Sequence, residues 1–152
     1  DVAARLADPA FPLNQSDAKG QRILLAGANF GCGSSREHAV WALMEWGITC
    51  VIAQSFAPIF AANALRNGLL PVALPAEAIA AMPWAEVHVD LPAQTVTCST
   101  SVHPFDIAPE PKQMLLEGLD AIDLTLKSRP AIDAWTREDR AARPWVYLEK
   151  LA

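Results

Sequence analysis

Charge, sulfur and long apolar runs are all in short supply in this chain of 152 residues, and each shortage narrows what it can be. Only 19% of the residues are charged, with a net charge of -5. No basic stripe is available, which counts against nucleic acid or an anionic membrane as the main partner. The longest apolar stretches, Ile48 to Ala53 and Leu69 to Leu74, stop well short of a membrane span, so no transmembrane helix is expected. The three cysteines, Cys32, Cys50 and Cys98, are odd in number, widely spaced and in no C-x-x-C pair. That pattern predicts a reducing, cytoplasmic setting rather than a disulfide framework. It also fits poorly with a cluster held by this chain, because iron-sulfur sites usually draw at least two ligands from one short loop. Cys50, inside an apolar run, reads as a small buried hydrophobe. The opening residues lack a basic region followed by an apolar core, so no secretory signal is expected. The absence of an initiator methionine predicts a natural start before Asp1.

Apolar residues, by contrast, make up 52% of the chain, enough for one sizeable core. There is no repeat, linker or low-complexity tract, so a single domain over residues 1–152 is expected. "QRILLAG" (21–27) is an apolar run ending at glycine and predicts a buried strand. From Ser34, "SSREHAVWALMEW" carries good helix formers, with apolar residues at Ala39, Leu43 and Trp46 before Gly47, and predicts a helix. "ITCVIA" then predicts a second buried strand, completing a strand–helix–strand unit. A second helix over 57–67, a third strand in "LLPVAL" and a short helix in "AEAIAAM" continue the alternation. The two-residue periodicity of "EVHVDLPAQTVTCST" marks a hairpin, and "VHPFDIAP" adds a further strand. The end reads as helical turns broken by Gly118 and Pro130, followed by the aromatic tail "RPWVYLEK". Trp135, Trp145 and Tyr147 are expected to pack on their own domain.

Chemistry concentrates in "NFGCGSSREH" (29–38). Gly27, Gly31 and Gly33 would let the backbone take left-handed angles and approach a ligand. A helix start follows, where unpaired N–H groups favour an anion, and Arg36 supplies a full charge in a fork that matches a carboxylate. Other anion-binding loops fit less well. A phosphate loop needs a lysine, and none lies between Lys19 and Lys112. A dinucleotide fingerprint counted from Gly31 would place its third glycine at Arg36. A nucleophile elbow fails at both serines, since Ser34 has Cys32 and Arg36 two residues away and Ser35 has Gly33 and Glu37. Ser34 and Glu37 also form S-x-x-E, so a helix-capping box remains open for Ser34. His38, one turn on, suits either a relay or an ordinary surface position. A cation such as Arg36 in a first helical turn opposes the helix dipole unless an anion compensates it.

"GANFGCGSSREHAVWAL", followed by "CVIAQSFAPIFAANALRNGLLPVAL" and later "EGLDAIDLTL" (117–126), resembles the small subunit of 3-isopropylmalate dehydratase, in the aconitase superfamily, over roughly residues 21–140. The resemblance implies an α/β fold, a swivelling β/β/α three-layer domain of the aconitase C-terminal type. It implies a partner large subunit carrying a 4Fe-4S cluster, whose iron acts as Lewis acid on the leaving hydroxyl, and a dicarboxylate hydroxy acid as substrate. By motif position Ser34 resembles the superfamily's catalytic base, while Ser35 and Arg36 resemble its substrate-carboxylate ligands. Gly31, Gly33, Glu37 and His38 are assigned to loop support, Cys32 to a pocket-adjacent position, and no metal ligand to this chain. Phe56, Ile59, Phe60 and Asn63 are read as packing and capping. The implied reaction is dehydration of 2-isopropylmalate to an alkene and rehydration to 3-isopropylmalate, in leucine biosynthesis. A serine is a very poor base in water, so its alkoxide would need loop amides, a helix start and a cation in a water-poor site. The family's front segment, with an N-V-D-T-D-like stretch and a loop that reads the substrate side group, does not appear before Asp1, which leaves the substrate open. A methylmalate or homoaconitate-type acid, or a non-catalytic dicarboxylate-binding or assembly module, are the alternatives.

Overall fold

The structure, a computed structural model, describes residues 11–147 and turns the expected strand–helix alternation into two three-stranded sheets. Strands β1 (Ile23–Ala26), β2 (Cys50–Ala53) and β3 (Leu70–Ala73) are parallel in the order β1-β2-β3, with Leu24 opposite Val51 and Val51 opposite Pro71. All four residues of β2 are buried. A continuous apolar run is what a strand covered on both faces requires. Pro71 is tolerated because β3 lies at an edge, where a missing N–H breaks no ladder. Helix α1 (His38–Trp46) joins β1 to β2, α2 (Pro58–Asn67) joins β2 to β3, and α3 (Ala76–Ala80) follows. The second sheet is antiparallel, β4 (Val87–Asp90), β5 (Thr95–Cys98) and β6 (Ser101–Pro104), as the alternating sequence predicted. Helix α4 (Pro109–Glu117) is fastened to the β4–β5 turn by Lys112, whose Nζ donates to the Pro92 carbonyl at 2.8 Å and to Gln94 Oε1 at 2.9 Å.

The two-residue period of β2 divides the core. Cys50 and Ile52 point into a cluster with Val72, Met82, Val96, Cys98 and Phe105. Val51 points the other way, among Val40, Phe60, Ala64 and Leu69. Successive strand side chains face opposite sides, so the parallel sheet is the middle layer, with α1 and α2 on one face and the antiparallel sheet on the other. This is the three-layer β/β/α arrangement that the family resemblance implied.

The chain forms two compact units, Asp1–Gly118 and Leu119–Ala152. The second contains α5 (Ala121–Leu126) and α6 (Arg129–Ala142), then a 3-10 turn at Pro144–Val146. Asp120 caps α5 in a reciprocal box: its carboxylate accepts from the Asp123 N–H at 2.7 Å, and the Asp123 carboxylate accepts from the Asp120 N–H. Pro130 does not break a helix as expected. It sits in the first turn of α6, where its missing N–H would have had no partner. None of the described residues of this unit is buried, and Trp135 and Trp145 are 58% and 75% exposed. The expectation that these tryptophans pack on their own domain is therefore overturned. Tyr147 does find a partner, its hydroxyl donating to Asp139 Oδ2 at 2.6 Å. The opening stretch 1–10 and the last residues of the aromatic tail lie outside the described residues.

Candidate functional site

The carboxyl end of β1 feeds directly into the glycine-rich loop, and the edge outside the carboxyl ends of parallel strands is where α/β sheets bind ligands. The first half of this loop is tied to the turn after β2. The Asn29 N–H donates to Ser55 Oγ at 2.8 Å, the Phe30 N–H to the Ser55 carbonyl at 2.9 Å, and the Ala57 N–H to the Phe30 carbonyl at 2.9 Å. Phe30 and Phe56 thereby form a parallel bridge, and their rings meet Phe60 edge-on and stacked, with centroids 5.1 and 6.2 Å away. Gly31 lies against this aromatic floor. Its φ of +82° is left-handed, and a Cβ there would come within 2.2 Å of the Phe60 ring. Glycine is required on both counts.

The second half carries the predicted chemistry on little support. Ser34 is half-buried, whereas Cys32, Gly33, Ser35, Arg36 and His38 are exposed. The Ser34 N–H donates to the Gly31 carbonyl at 3.4 Å, and the Arg36 N–H donates to Ser34 Oγ at 3.2 Å. Among the described residues nothing accepts from the N–H groups of Ser35, Glu37 or His38. Orphan amides beside a guanidinium suit an anion with several oxygens. Ser34, Ser35 and Arg36 are thus adjacent on one exposed loop, as their spacing implied. His38 stands at the start of α1 with its ring centroid 4.7 Å from that of Trp41, at 55°.

Three expectations about this loop need correction. Helix α1 begins at His38, not Ser34, so Arg36 lies before the first turn rather than in it. The residue capping α1 is Glu37, with no side-chain bond, so the S-x-x-E capping box does not form and Ser34 is left without that structural role. Gly27 and Gly33 have no left-handed φ, and a Cβ at either would meet nothing within 4 Å; the second left-handed residue is Asn29, at +55°. Along α1 the buried residue is Val40, while Trp46 is exposed. Of the α2 residues read as packing, Phe60 and Asn63 are buried but Ile59 is exposed.

Ser55, Trp41 and Asn67 were missed in the sequence. Ser55 had a signal, since it lies in the turn two residues beyond the carboxyl end of β2. Trp41 and Asn67 had none: the indole Nε1 donates to Asn67 Oδ1 at 2.8 Å across 26 residues, and Asn67 Nδ2 donates to the Asn63 carbonyl at 2.8 Å.

The described residues do not fit an iron-sulfur cluster. Cys50 and Cys98 lie in the apolar core, where burial pushes the Cys50 thiol up to about 12. The Cys98 thiol donates to the Ala81 carbonyl at 3.8 Å, and Cys32 is exposed on the loop. No group of three His, Cys, Asp or Glu among the described residues is placed to hold a metal ion. A cavity of about 510 Å³ runs elsewhere, along β1, lined by Ile23, Leu25, Met82, Trp84 and Val87 among others. It shares no residue with the loop, and its largely apolar wall carries one cation, Arg22, and one carboxylate, Glu86. No described helix is long and apolar enough to cross a membrane.

Comparison with known proteins bears on the family and the fold. The Aconitase C-terminal domain family matches residues 3–77, and LeuD_N matches residues 76–109. A 3-isopropylmalate dehydratase small subunit from Cupriavidus necator is 50% identical over 154 residues, covering 95% of this chain and 74% of that protein. One from Phenylobacterium zucineum is 52% identical, covering 91% and 71%. The crystal structure of a 3-isopropylmalate dehydratase from Methanocaldococcus jannaschii superposes with a TM-score of 0.63 at 32% identity, covering 85% of this chain and 75% of that one. With identity at this level over most of both partners, the chain belongs to the 3-isopropylmalate dehydratase small-subunit family of the aconitase superfamily.

Proposed function

We propose that this chain works as the small subunit of 3-isopropylmalate dehydratase, a hydro-lyase that interconverts 2- and 3-isopropylmalate, and that the Ser34–Arg36 loop is its contribution to the active site. The observation that carries the site assignment is the state of Ser34. It caps no helix, and its Oγ sits beside the Arg36 amide on an exposed loop of unpaired N–H groups.

In the dehydration step Ser34 Oγ, as alkoxide, takes the proton from the carbon next to a carboxylate. The electron pair forms the alkene as hydroxide leaves the neighbouring carbon, and hydroxide and proton together make the water returned in the second half. Arg36 and Ser35 hold a substrate carboxylate: the guanidinium by paired N–H donation, the serine by its hydroxyl. The same cation and amides lower the energy of the Ser34 alkoxide, without which a hydroxyl is far too weak a base. Gly31, Gly33, Glu37 and His38 support the loop. The name small subunit, carried by the relatives, implies a large partner. The 4Fe-4S cluster belongs in this reading to that large subunit, since this chain's described thiols do not fit one, and the whole chain acts as one swivel domain beside it in the cytoplasm.

The test is dehydration of 2-isopropylmalate by the chain mixed anaerobically with a cluster-loaded large subunit, comparing the unchanged protein with Ser34→Ala and Arg36→Lys. Activity that needs both subunits and collapses in Ser34→Ala supports the base assignment. Full activity in Ser34→Ala removes it, and activity only on another hydroxy diacid moves the enzyme to a sister hydro-lyase.

A further inference from the structure

Between Gly31 and His38 the loop that carries Ser34, Ser35 and Arg36 has two hydrogen bonds within itself, at 3.2 and 3.4 Å; its other bonds run outward, from the Cys32 N–H to the Asn29 carbonyl at 3.3 Å and to the Arg36 and Glu37 carbonyls from Ala39, Val40 and Trp41 in the first turn of α1. Among the described residues no bond reaches the side chains of Ser35 or Arg36, so their placement depends on how the two ends of the segment are held, and both ends lead to the same helix. Upstream, Gly31 rests on the ring of Phe60 in α2. Downstream, the chain enters α1 at His38, whose ring lies against Trp41, and the Trp41 indole is bonded to Asn67, the last residue of α2. Phe60 and Asn67 are seven residues apart, so they share one face of α2 two turns apart, about 10 Å at 1.5 Å per residue.

We infer that Asn67 is a positioning residue for the Ser34–Arg36 loop, acting through Trp41 and His38, with α2 as the ruler that sets the span of the loop. The inference rests on the function proposed above. The amide of Asn67 is used in both senses, its oxygen accepting from the indole and its nitrogen donating to the Asn63 carbonyl. A flipped amide would set donor against donor and acceptor against acceptor, so only one orientation serves. That orientation holds in place a half-exposed tryptophan that would otherwise be free to change rotamer. With Trp41 fixed, the first turn of α1 and the loop feeding it have a defined end point.

The experiment compares Asn67→Ala, Trp41→Phe and the double variant in the complex with the large subunit. Trp41→Phe keeps an aromatic ring beside His38 but removes the indole donor. Each single variant is expected to lower kcat about tenfold with little change in KM, given that a 1 Å misplacement can lose about a hundredfold. The double variant should be no worse than either single, because both cut the same link. Unchanged kcat accompanied only by a lower Tm, or losses that multiply in the double variant, would overturn the inference. A readout independent of activity separates it from the site assignment. In the small subunit alone, the amide resonances of Ser35 and Arg36 and the His38 ring resonances should shift alike in both single variants. If Ser34→Ala proves fully active but these shifts appear, the catalytic reading fails while the positioning link stands. If the resonances do not move, the link is absent whatever the kinetics show.

Discussion

Two halves of one loop, residues 28–31 and 32–37, are built in opposite ways. The first is bonded to Ser55, bridged to Phe56 and seated on Phe60. The second is largely exposed, and its bonds are local: long ones at Cys32, Ser34 and Arg36, and those that the Arg36 and Glu37 carbonyls accept from the first turn of α1. Structural support and the proposed chemistry are thereby separated within ten residues. The anchored half joins the aromatic cluster through Phe30, and none of residues 32–37 is buried. Substitutions in the first should act on folding, and substitutions in the second on turnover alone.

Gly31→Ala is the severest test of the anchored half. A Cβ would strain a left-handed backbone and strike the Phe60 ring, so a loss of about 2–5 kcal/mol is expected in urea unfolding. Near-native stability there would show that the aromatic floor yields easily. Ser34→Ala tests the bare half: kcat in the two-subunit enzyme should drop by roughly a hundredfold to ten-thousandfold, while thermal stability stays within about 0.5 kcal/mol. A clear loss of stability would return Ser34 to a structural role. Arg36→Lys should raise KM about tenfold, because an ammonium replaces a two-pronged donor.

The cysteines extend the contrast between exposed loop and core. With native protein at pH 8, a thiol reagent should react promptly with Cys32 and leave Cys50 and Cys98 untouched until denaturant is added. The Cys50 thiol is raised to about 12 by burial, so folding favours its protonated form. The stability this contributes is fully present below the ordinary thiol value of ~8.5 and is lost as pH climbs from there toward about 12. The smallest effect belongs to the second unit. The Tyr147 hydroxyl and then Arg143 hold the Asp139 carboxyl below its usual range. Tyr147→Phe should raise the Asp139 pKa in an NMR titration. The stabilising effect of this group is present above the ordinary carboxylate value of ~3.9 and fades as pH falls through the lowered one.

Much of this arrangement was written locally. The apolar run over 23–26, the β-branched run over 48–53 and the alternation through 86–98 correspond to elements of the structure. Periodicity and strand length are properties of neighbouring residues, and burial follows from them. The stops at Gly47, Gly68 and Gly118, and the entries at Pro58 and Pro109, are local for the same reason. The motif "GCGSSREH" also revealed which side chains would stand together, because they are consecutive. Less was legible about what each does. S-x-x-E is a capping signature, yet whether the box closes depends on where α1 begins, and a start at His38 leaves Ser34 outside it.

Residue types in order, with their spacing, were enough to give the strand–helix alternation, the hairpin and the position of the polar loop, while the motif's resemblance to a family implied the three layers. Contacts between residues distant in sequence settled the rest. Gly31 is indispensable, rather than Gly27 or Gly33, because Phe60 lies beneath it. Ser55 secures the loop because β2 runs beside β1. Asn67 reaches Trp41 because α1 and α2 cover the same face of one sheet. Such bonds have no local signature: a donor on one helix and an acceptor 26 residues later become partners only when packing of the core has fixed the distance between them.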